Sequence, residues 1–282
     1  MRFTKMQGCG NDYIYVNKME ERIESPARLA RALSDRHFGI GADGLILIGA
    51  SKTADFSMEM YNADGSKGAM CGNGIRCVGK YVYEHGLTRK TTLVIETGSG
   101  NRVIHLQTGG SPNEIEQVTV EMGSPEFRAD KIPVVSLGEY VLEQKITVGG
   151  SDYTMTCLSM GNPHAVVWSE NVENFPISET GPAFEHLSCF PDRINTEFIQ
   201  TLDQHTIKMR VWERGSGETL SCGTGACAAA VAAMLSGRVS EGETAVKLRG
   251  GTLSVTWDRT KNKVFLTGPA ETIFEGTLAE RI

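Results

Sequence analysis

The chain has no run of 18 apolar residues, so no membrane-spanning helix is expected. It has no basic excess either. Its 28 Lys and Arg stand against 34 Asp and Glu, and a net charge of −6 argues against a nucleic-acid partner. The start, Met1 to Gln7, alternates like a strand and lacks the apolar core of a signal peptide. No C-x-x-C pair occurs among the seven cysteines, and the spacings 71/77 and 222/227 do not suit paired zinc ligands, so no metal is expected. An odd cysteine count without an export signal points to reduced thiols in a cytoplasm. Neither a Gly-Lys-Ser/Thr phosphate loop nor a full dinucleotide fingerprint is present. What remains, 282 residues with 40% hydrophobic and 22% charged, describes a soluble globular protein with one large domain or two ordinary ones.

The strongest positive feature is a repeat. Cys71-Gly72-Asn73-Gly74 recurs as Cys222-Gly223-Thr224-Gly225, an offset of 151 residues (71 to 222). The same offset carries Gly10-Asn11 onto Gly161-Asn162, Met58 to Asn62 onto Met209 to Glu213, and Gly86 onto Gly237. Two halves built alike each contribute one thiol. Short apolar or alternating runs, such as 45–48, 92–95, 102–106, 117–120, 165–168, 207–212 and 252–257, read as strands. Helices are few. Ser25-Pro26 opens one over 27–36, and 179–187 lies at the matching place in the second half. Two more start inside the cysteine motifs, over 73–84 and 224–236. The last is small and apolar all round, so it should be buried on every side. A buried central helix wrapped by strands, occurring twice, is the inferred architecture, with the polar stretch 108–113 as the boundary.

The chemistry sits where the glycines precede the helices. Glycine lets the backbone approach a ligand closely. The helix start turns its free N–H groups and positive dipole end toward the turn, a place that binds carboxylates and lowers a thiol's pKa. If the halves face each other, two helix N-termini converge on one carboxylate and a thiol stands on either side of the carbon next to it. One thiolate then removes the α-proton and the other thiol protonates the opposite face, as in a racemase or epimerase. Pyridoxal phosphate is the usual electron sink for such chemistry, and no convincing site for it is found; no cofactor is expected. The other five cysteines read as small buried hydrophobes.

Taken in order, Gly10-Asn11-Asp12-Tyr13, Asp35 to Gly44, Tyr61 to Ser66, Met70 to Cys77, Met160 to His164, Trp212 to Thr219 and Cys222 to Cys227 make the chain resemble the diaminopimelate epimerases from end to end. That resemblance implies interconversion of L,L-diaminopimelate with the meso isomer, a step toward lysine and peptidoglycan precursors, without a cofactor. Cys71 and Cys222 would be the acid/base pair. The implied fold is α/β (α+β), with two pseudo-symmetric domains, each a strand-rich barrel-like sheet around a central helix, and the active site in the cleft between them. The domains would be 1–116 with 269–282, and 117–268, the last strand near Glu271 to Leu278 returning to the first. A homodimer in the cytoplasm, with a small amino acid as its only partner, is implied as well.

Binding roles follow by position. Gly72, Asn73, Gly74, Gly223 and Thr224 would hold the reacting carboxylate. Asn11, Asn62, Asn162, Asn195, Glu213 and Arg214 would hold the rest of the substrate, Arg214 pairing with its distal carboxylate. His164 and Glu213 would tune the thiols. One departure stands out: many family members carry Gln where this chain has Gly44. The offset aligns Gly44 with Asn195, so position 44 is expected to face the pocket, with a water or another residue serving in place of the Gln. The nearest rival is a proline or hydroxyproline racemase-like enzyme, from which Asn73 departs, since those usually carry His there. A thiol redox protein and an amino acid binding protein are rivals of other classes.

Overall fold

The computed structural model describes residues 1–111, 113–136 and 138–279. The chain is mixed α/β and strand-rich, and it divides into two compact units, residues 1–121 with 267–282 and residues 122–266. The first unit carries β1 (Arg2–Gly8), β2 (Asn11–Asn17), α1 (Pro26–Ser34), β3 (Gly44–Gly49), β4 (Phe56–Asn62), β5 (Lys67–Gly68), α2 (Gly72–Glu84), β6 (Thr92–Thr97), β7 (Gly100–Thr108) and β8 (Ile115–Gly123). The second carries β9 (Gln144–Val148), β10 (Ser151–Ser159), β11 (Pro163–Trp168), α3 (Ile177–Glu185), β12 (Asn195–Asp203), β13 (Thr206–Glu213), β14 (Gly217–Thr219), α4 (Gly223–Leu235), β15 (Glu243–Leu248), β16 (Gly251–Asp258) and β17 (Lys263–Gly268). β18 (Glu271–Thr277) belongs to the first unit and pairs antiparallel with β1.

The 151-residue offset extends from the cysteine motifs to the register of the sheets. Tyr13 faces Gly44 in the parallel pair β2–β3, and His164 faces Asn195 in the parallel pair β11–β12. Phe56 faces Ile95 in one unit, and Ile207 faces Val246 in the other. One hairpin departs from the rule: Gly8 faces Asn11, whereas Ser159 faces Pro163. The second turn is one residue longer, so Asn162 lies in the turn while Asn11 opens its strand. The strand flanking β1 is β18, from the end of the chain; the strand flanking the equivalent β10 is its hairpin partner β9.

Local chemistry explains the elements. β3 reads Leu45-Ile46-Leu47-Ile48 and is buried on both faces, as a continuous apolar strand must be. In α4 nearly every residue from Gly223 to Met234 is buried, Thr224 being half-exposed. Alanine at 228–230 and 232–233 lets strands approach this helix closely on all sides. Both cysteine-led helices stop at a glycine with positive φ, Gly86 (72°) and Gly237 (69°). There Leu87 N donates back to Val82 O, and Arg238 N to Ala233 O. This left-handed end satisfies the last carbonyls. α1 packs Leu29, Ala30 and Leu33 against Ile14, Val16, Leu45 and Leu47, and α3 packs Phe184 against Phe198, Ala165 and Val167.

Several expectations shift slightly. α1 and α3 each begin and end one or two residues before the sequence patterns suggest, and both cysteine-led helices start at the glycine after the cysteine. Ser25 holds the N-cap position without a side-chain hydrogen bond, so Pro26 alone marks that start. The polar stretch 108–113 is the turn joining β7 to β8 inside the first unit; its Pro112 lies outside the described residues. Among the described residues no helix is long and apolar enough to cross a membrane.

Candidate active site

In the first unit the site is built on the head of α2. Cys71 is the N-cap residue, in extended conformation, and its sulfur accepts from Gly74 N at 3.3 Å. Its thiol donates to Asn11 Oδ1 at 3.2 Å, and Asn73 Nδ2 approaches the same oxygen at 3.4 Å. Asn11 is held from behind: its Nδ2 donates to Asp43 Oδ2 at 2.7 Å. Arg36 bridges Asp43 (3.0 Å) and Asp12 (2.8 Å), and Lys5 pairs with Asp12 at 2.7 Å. Burial raises the Asp12 carboxyl, but bonds from Arg36 and Lys5 outweigh it and hold the carboxyl below its ordinary value. The network thus backs Asn11 with two carboxylates and two cations.

Tyr13 completes this group. It is buried, and its hydroxyl reaches Asn11 and the Cys71 sulfur. Burial first, then the nearby Cys71 and Asp43, push the phenol far above its usual range, so it remains a neutral hydrogen-bonding group. The Tyr13 ring also bears on Gly44. A Cβ there would lie 2.2 Å from the Tyr61 carbonyl oxygen and 2.8 Å from Tyr13 Cε1. Position 44 is thus tightly enclosed, beside the ring whose hydroxyl reaches Cys71. Asn62, opposite Gly44 on β4, donates its amide to Ser66 Oγ at 2.9 Å, across the β4–β5 turn.

In the second unit the head of α4 repeats the frame. Cys222 is the N-cap residue and its sulfur accepts from Gly225 N at 3.4 Å, with Thr224 Oγ1 at 3.5 Å. The surroundings differ in charge. Glu213, at the end of β13, receives a hydrogen bond from Cys222 and one from Thr219 Oγ1 at 2.5 Å. Burial raises the Glu213 carboxyl above its ordinary value. The expectation that a helix start lowers the thiol pKa fails at Cys222. Burial, then Glu213 and Glu197, push it well above 9.0, against the lowering by Thr224 and Gly225 N. The thiol form of Cys222 is therefore favoured over the thiolate.

His164 is fully buried on β11. Its Nδ1 lies 2.7 Å from Glu197 Oε1 and its Nε2 lies 3.0 Å from Asn162 Oδ1. Asn195 has its amide engaged inside the unit: Nδ2 donates to Pro163 O and Oδ1 accepts from Arg214 N, both at 2.9 Å. It anchors the turn that carries Arg214. The exposed Arg214 guanidinium donates to Asp192 O at 2.8 Å. Glu185 secures the same turn, accepting from Gly215 N at 3.0 Å and from Trp212 Nε1 at 2.7 Å.

Two carboxylates were thus missed in the sequence, Glu185 and Glu197. Glu197 had a readable signal. It directly precedes the apolar strand residues Phe198 and Ile199, and the offset matches it to the apolar Ile46. Of the five other cysteines, Cys9, Cys77, Cys157 and Cys227 are buried and Cys189 is half-buried. Burial pushes the Cys77 thiol up to about 11. Among the described residues no group of three or more His, Cys, Asp or Glu is arranged to hold a metal ion.

The sequence matches the family described as Diaminopimelate epimerase over residues 3–128 and 156–273. A diaminopimelate epimerase of Acetivibrio thermocellus is 52% identical over 276 residues, covering 98% of both chains. One of Methanococcus maripaludis is 50% identical over 278 residues, covering 99% of both. Among solved structures, a Bacillus anthracis phenazine biosynthesis protein of the PhzF family superposes with a TM-score of 0.70 at 18% identity, covering 98% of both chains. A hydroxyproline epimerase of Agrobacterium vitis superposes with a TM-score of 0.67 at 16% identity, covering 98% of this chain and 90% of that one. These two share the fold. The full-length identity to the epimerases goes further, and the chain belongs to the diaminopimelate epimerase family of pyridoxal-phosphate-independent isomerases.

Proposed function

We propose that the protein interconverts L,L-diaminopimelate and meso-diaminopimelate by two-base catalysis with Cys71 and Cys222, supplying meso-diaminopimelate for lysine and peptidoglycan precursors. The observation that carries this reading is the matched pair of N-cap cysteines, each with its sulfur bonded to the amide three residues on. One thiolate takes the Cα proton, forming an S–H bond as the C–H bond breaks. The electron pair passes toward the carboxylate, which the N–H groups of Gly72 to Gly74 and Gly223 to Gly225 stabilise. The other thiol gives its proton to the opposite face of Cα. Burial first, then Glu213 and Glu197, raise the Cys222 thiol, so in this reading it starts as the acid and Cys71 is the base in that direction. Asn11, Asn73, Thr224 and Asn162 orient the substrate, and Glu213 manages the Cys222 proton. Arg214, exposed on its turn, takes the distal carboxylate, with Asn62 and Asn195 at the edge of the site.

The test is incubation in D2O with L,L-diaminopimelate, L-proline and trans-4-hydroxyproline. Deuterium should enter Cα of diaminopimelate alone. Label in proline and none in diaminopimelate would overturn the reading. Cys71→Ser and Cys222→Ser should each lose turnover by on the order of 100-fold or more while remaining folded, since a hydroxyl is a far weaker acid than a thiol. Near-normal turnover in either variant would point to one-base chemistry.

A further inference from the structure

Glu197 occupies a niche that the first unit fills with a hydrocarbon. Its carboxylate is fully buried, with Oε1 on His164 Nδ1 at 2.7 Å and Oε2 without a hydrogen-bond partner. The first turn of α4 rests on it: a Cβ on Gly225 would lie 2.6 Å from Glu197 Oε1. At the same place in the first unit, a Cβ on Gly74 would lie 2.6 Å from Ile46 Cδ1. Isoleucine fills this space without desolvating a charge, so packing does not call for a carboxylate. The partner of Glu197 is also the residue that differs: His164 stands where the first unit has Tyr13.

The two units therefore fasten their asparagines differently. Asn11 is tied directly to a carboxylate, Asp43, at 2.7 Å. Asn162 is tied to one through an imidazole, Glu197 to His164 to Asn162. A carboxylate against Nδ1 requires a proton there, which fixes both the tautomer and the plane of the ring. His164 Nε2, then without a proton, accepts from Asn162, whose side-chain amide is turned so that Nδ2 rather than Oδ1 faces the ring 3.0 Å away.

We propose that Glu197 is a positioning residue for the epimerisation: it locks the Nδ1–H tautomer of His164 and through it the Asn162 amide beside Cys222. This rests on the reading of Cys222 as an acid/base group. The titratable groups around Glu197 are His164 on β11, Cys157 on β10, Glu213 on β13 and Cys222 at the head of α4. Glu197 raises the thiols of Cys157 and Cys222.

The experiment uses the full-length chain with 15N-labelled histidine, as wild type, Glu197→Gln and Glu197→Ile. Long-range 1H–15N spectra report the His164 tautomer, and kcat and KM for L,L-diaminopimelate are followed against pH. The wild type should show a single Nδ1–H form. Glu197→Ile should show mixed tautomers and a kcat lower by about 10- to 100-fold, the scale seen when the outer partner of a functional imidazole is removed. Its alkaline limb should move to lower pH, because a negative charge that raises Cys222 is gone. Glu197→Gln keeps an acceptor, so it should retain the tautomer, lose less kcat and still show the shifted limb.

An unchanged His164 tautomer in Glu197→Ile overturns the proposal. So does a folded Glu197→Ile with kcat, KM and pH profile all within twofold of wild type. If that variant does not fold, a wild type without the single Nδ1–H form overturns it instead. A wild type that turns over no diaminopimelate sinks the functional reading, and the catalytic half of this proposal with it. A working wild type with an indifferent Glu197→Ile sinks the proposal alone.

Discussion

At the scale of single residues, position decides what a side chain may be. Gly44 is surrounded by the Tyr61 carbonyl and the Tyr13 ring, so a larger side chain there must displace its neighbours. Gly44→Gln should cost about 1–3 kcal/mol, the usual penalty of forcing volume into a closed site. Thermal unfolding measures it, and an unchanged midpoint would mean the strand yields without strain. Glu213 makes a prediction about pH. Burial raises its carboxyl above 4.5 in the folded chain. A group raised on folding contributes stability that is full below its unfolded pKa and fades as pH rises through the folded value. Glu213→Gln removes that fading. The variant should therefore gain thermal stability relative to wild type on going from about pH 4 to about pH 8, while losing turnover. Equal differences at both pH values would show that Glu213 titrates alike folded and unfolded.

At the scale of elements, the two cysteine-led helices share ends and length but not sides. α2 carries Arg76 and Lys80 inside the unit: Arg76 donates to Pro269 O and Gly72 O, and Lys80 to Ile115 O and to Glu84 Oε1. α4 has Cys227 and Val231 at those places and is lined with alanine. Close approach by strands is built into it. Ala229→Leu should destabilise the protein by about 1–3 kcal/mol through overpacking, read from urea unfolding. A smaller loss would reveal a void beside the helix. α4 was legible in the sequence because a helix-length stretch that is apolar on every side stands out from its surroundings. β12 was not, because the buried Glu197 breaks the apolar pattern that marks a strand. β10 was not, because its first residues, Ser151 and Asp152, are exposed.

At the scale of the whole molecule, the chain closes its first unit with its last strand. β18 pairs with β1 from Arg2 to Gln7. A chain ending at Leu266 would leave that edge of β1 unpaired. Hydrogen exchange should then show β1 amides losing protection, while residues 122–266, a continuous segment, keep theirs. Unchanged exchange in β1 would mean that β2 alone holds it. In the second unit the flanking strand β9 arrives by a local hairpin and needs no distant segment.

The sequence alone determined the repeat, the two thiols at its matched positions, the helices they begin and the family to which the chain belongs. Those features are local: a glycine after a cysteine, an apolar stretch, a fixed spacing. Only the tertiary structure decided that burial raises the Cys222 thiol, that a side chain at position 44 would meet the Tyr61 carbonyl, and that Glu197 stands behind His164. These depend on burial and on neighbours brought from distant strands. Nothing in a helix start announces how deeply it will be buried or which carboxylates will surround it, and at Cys222 burial and those charges outweigh the helix start.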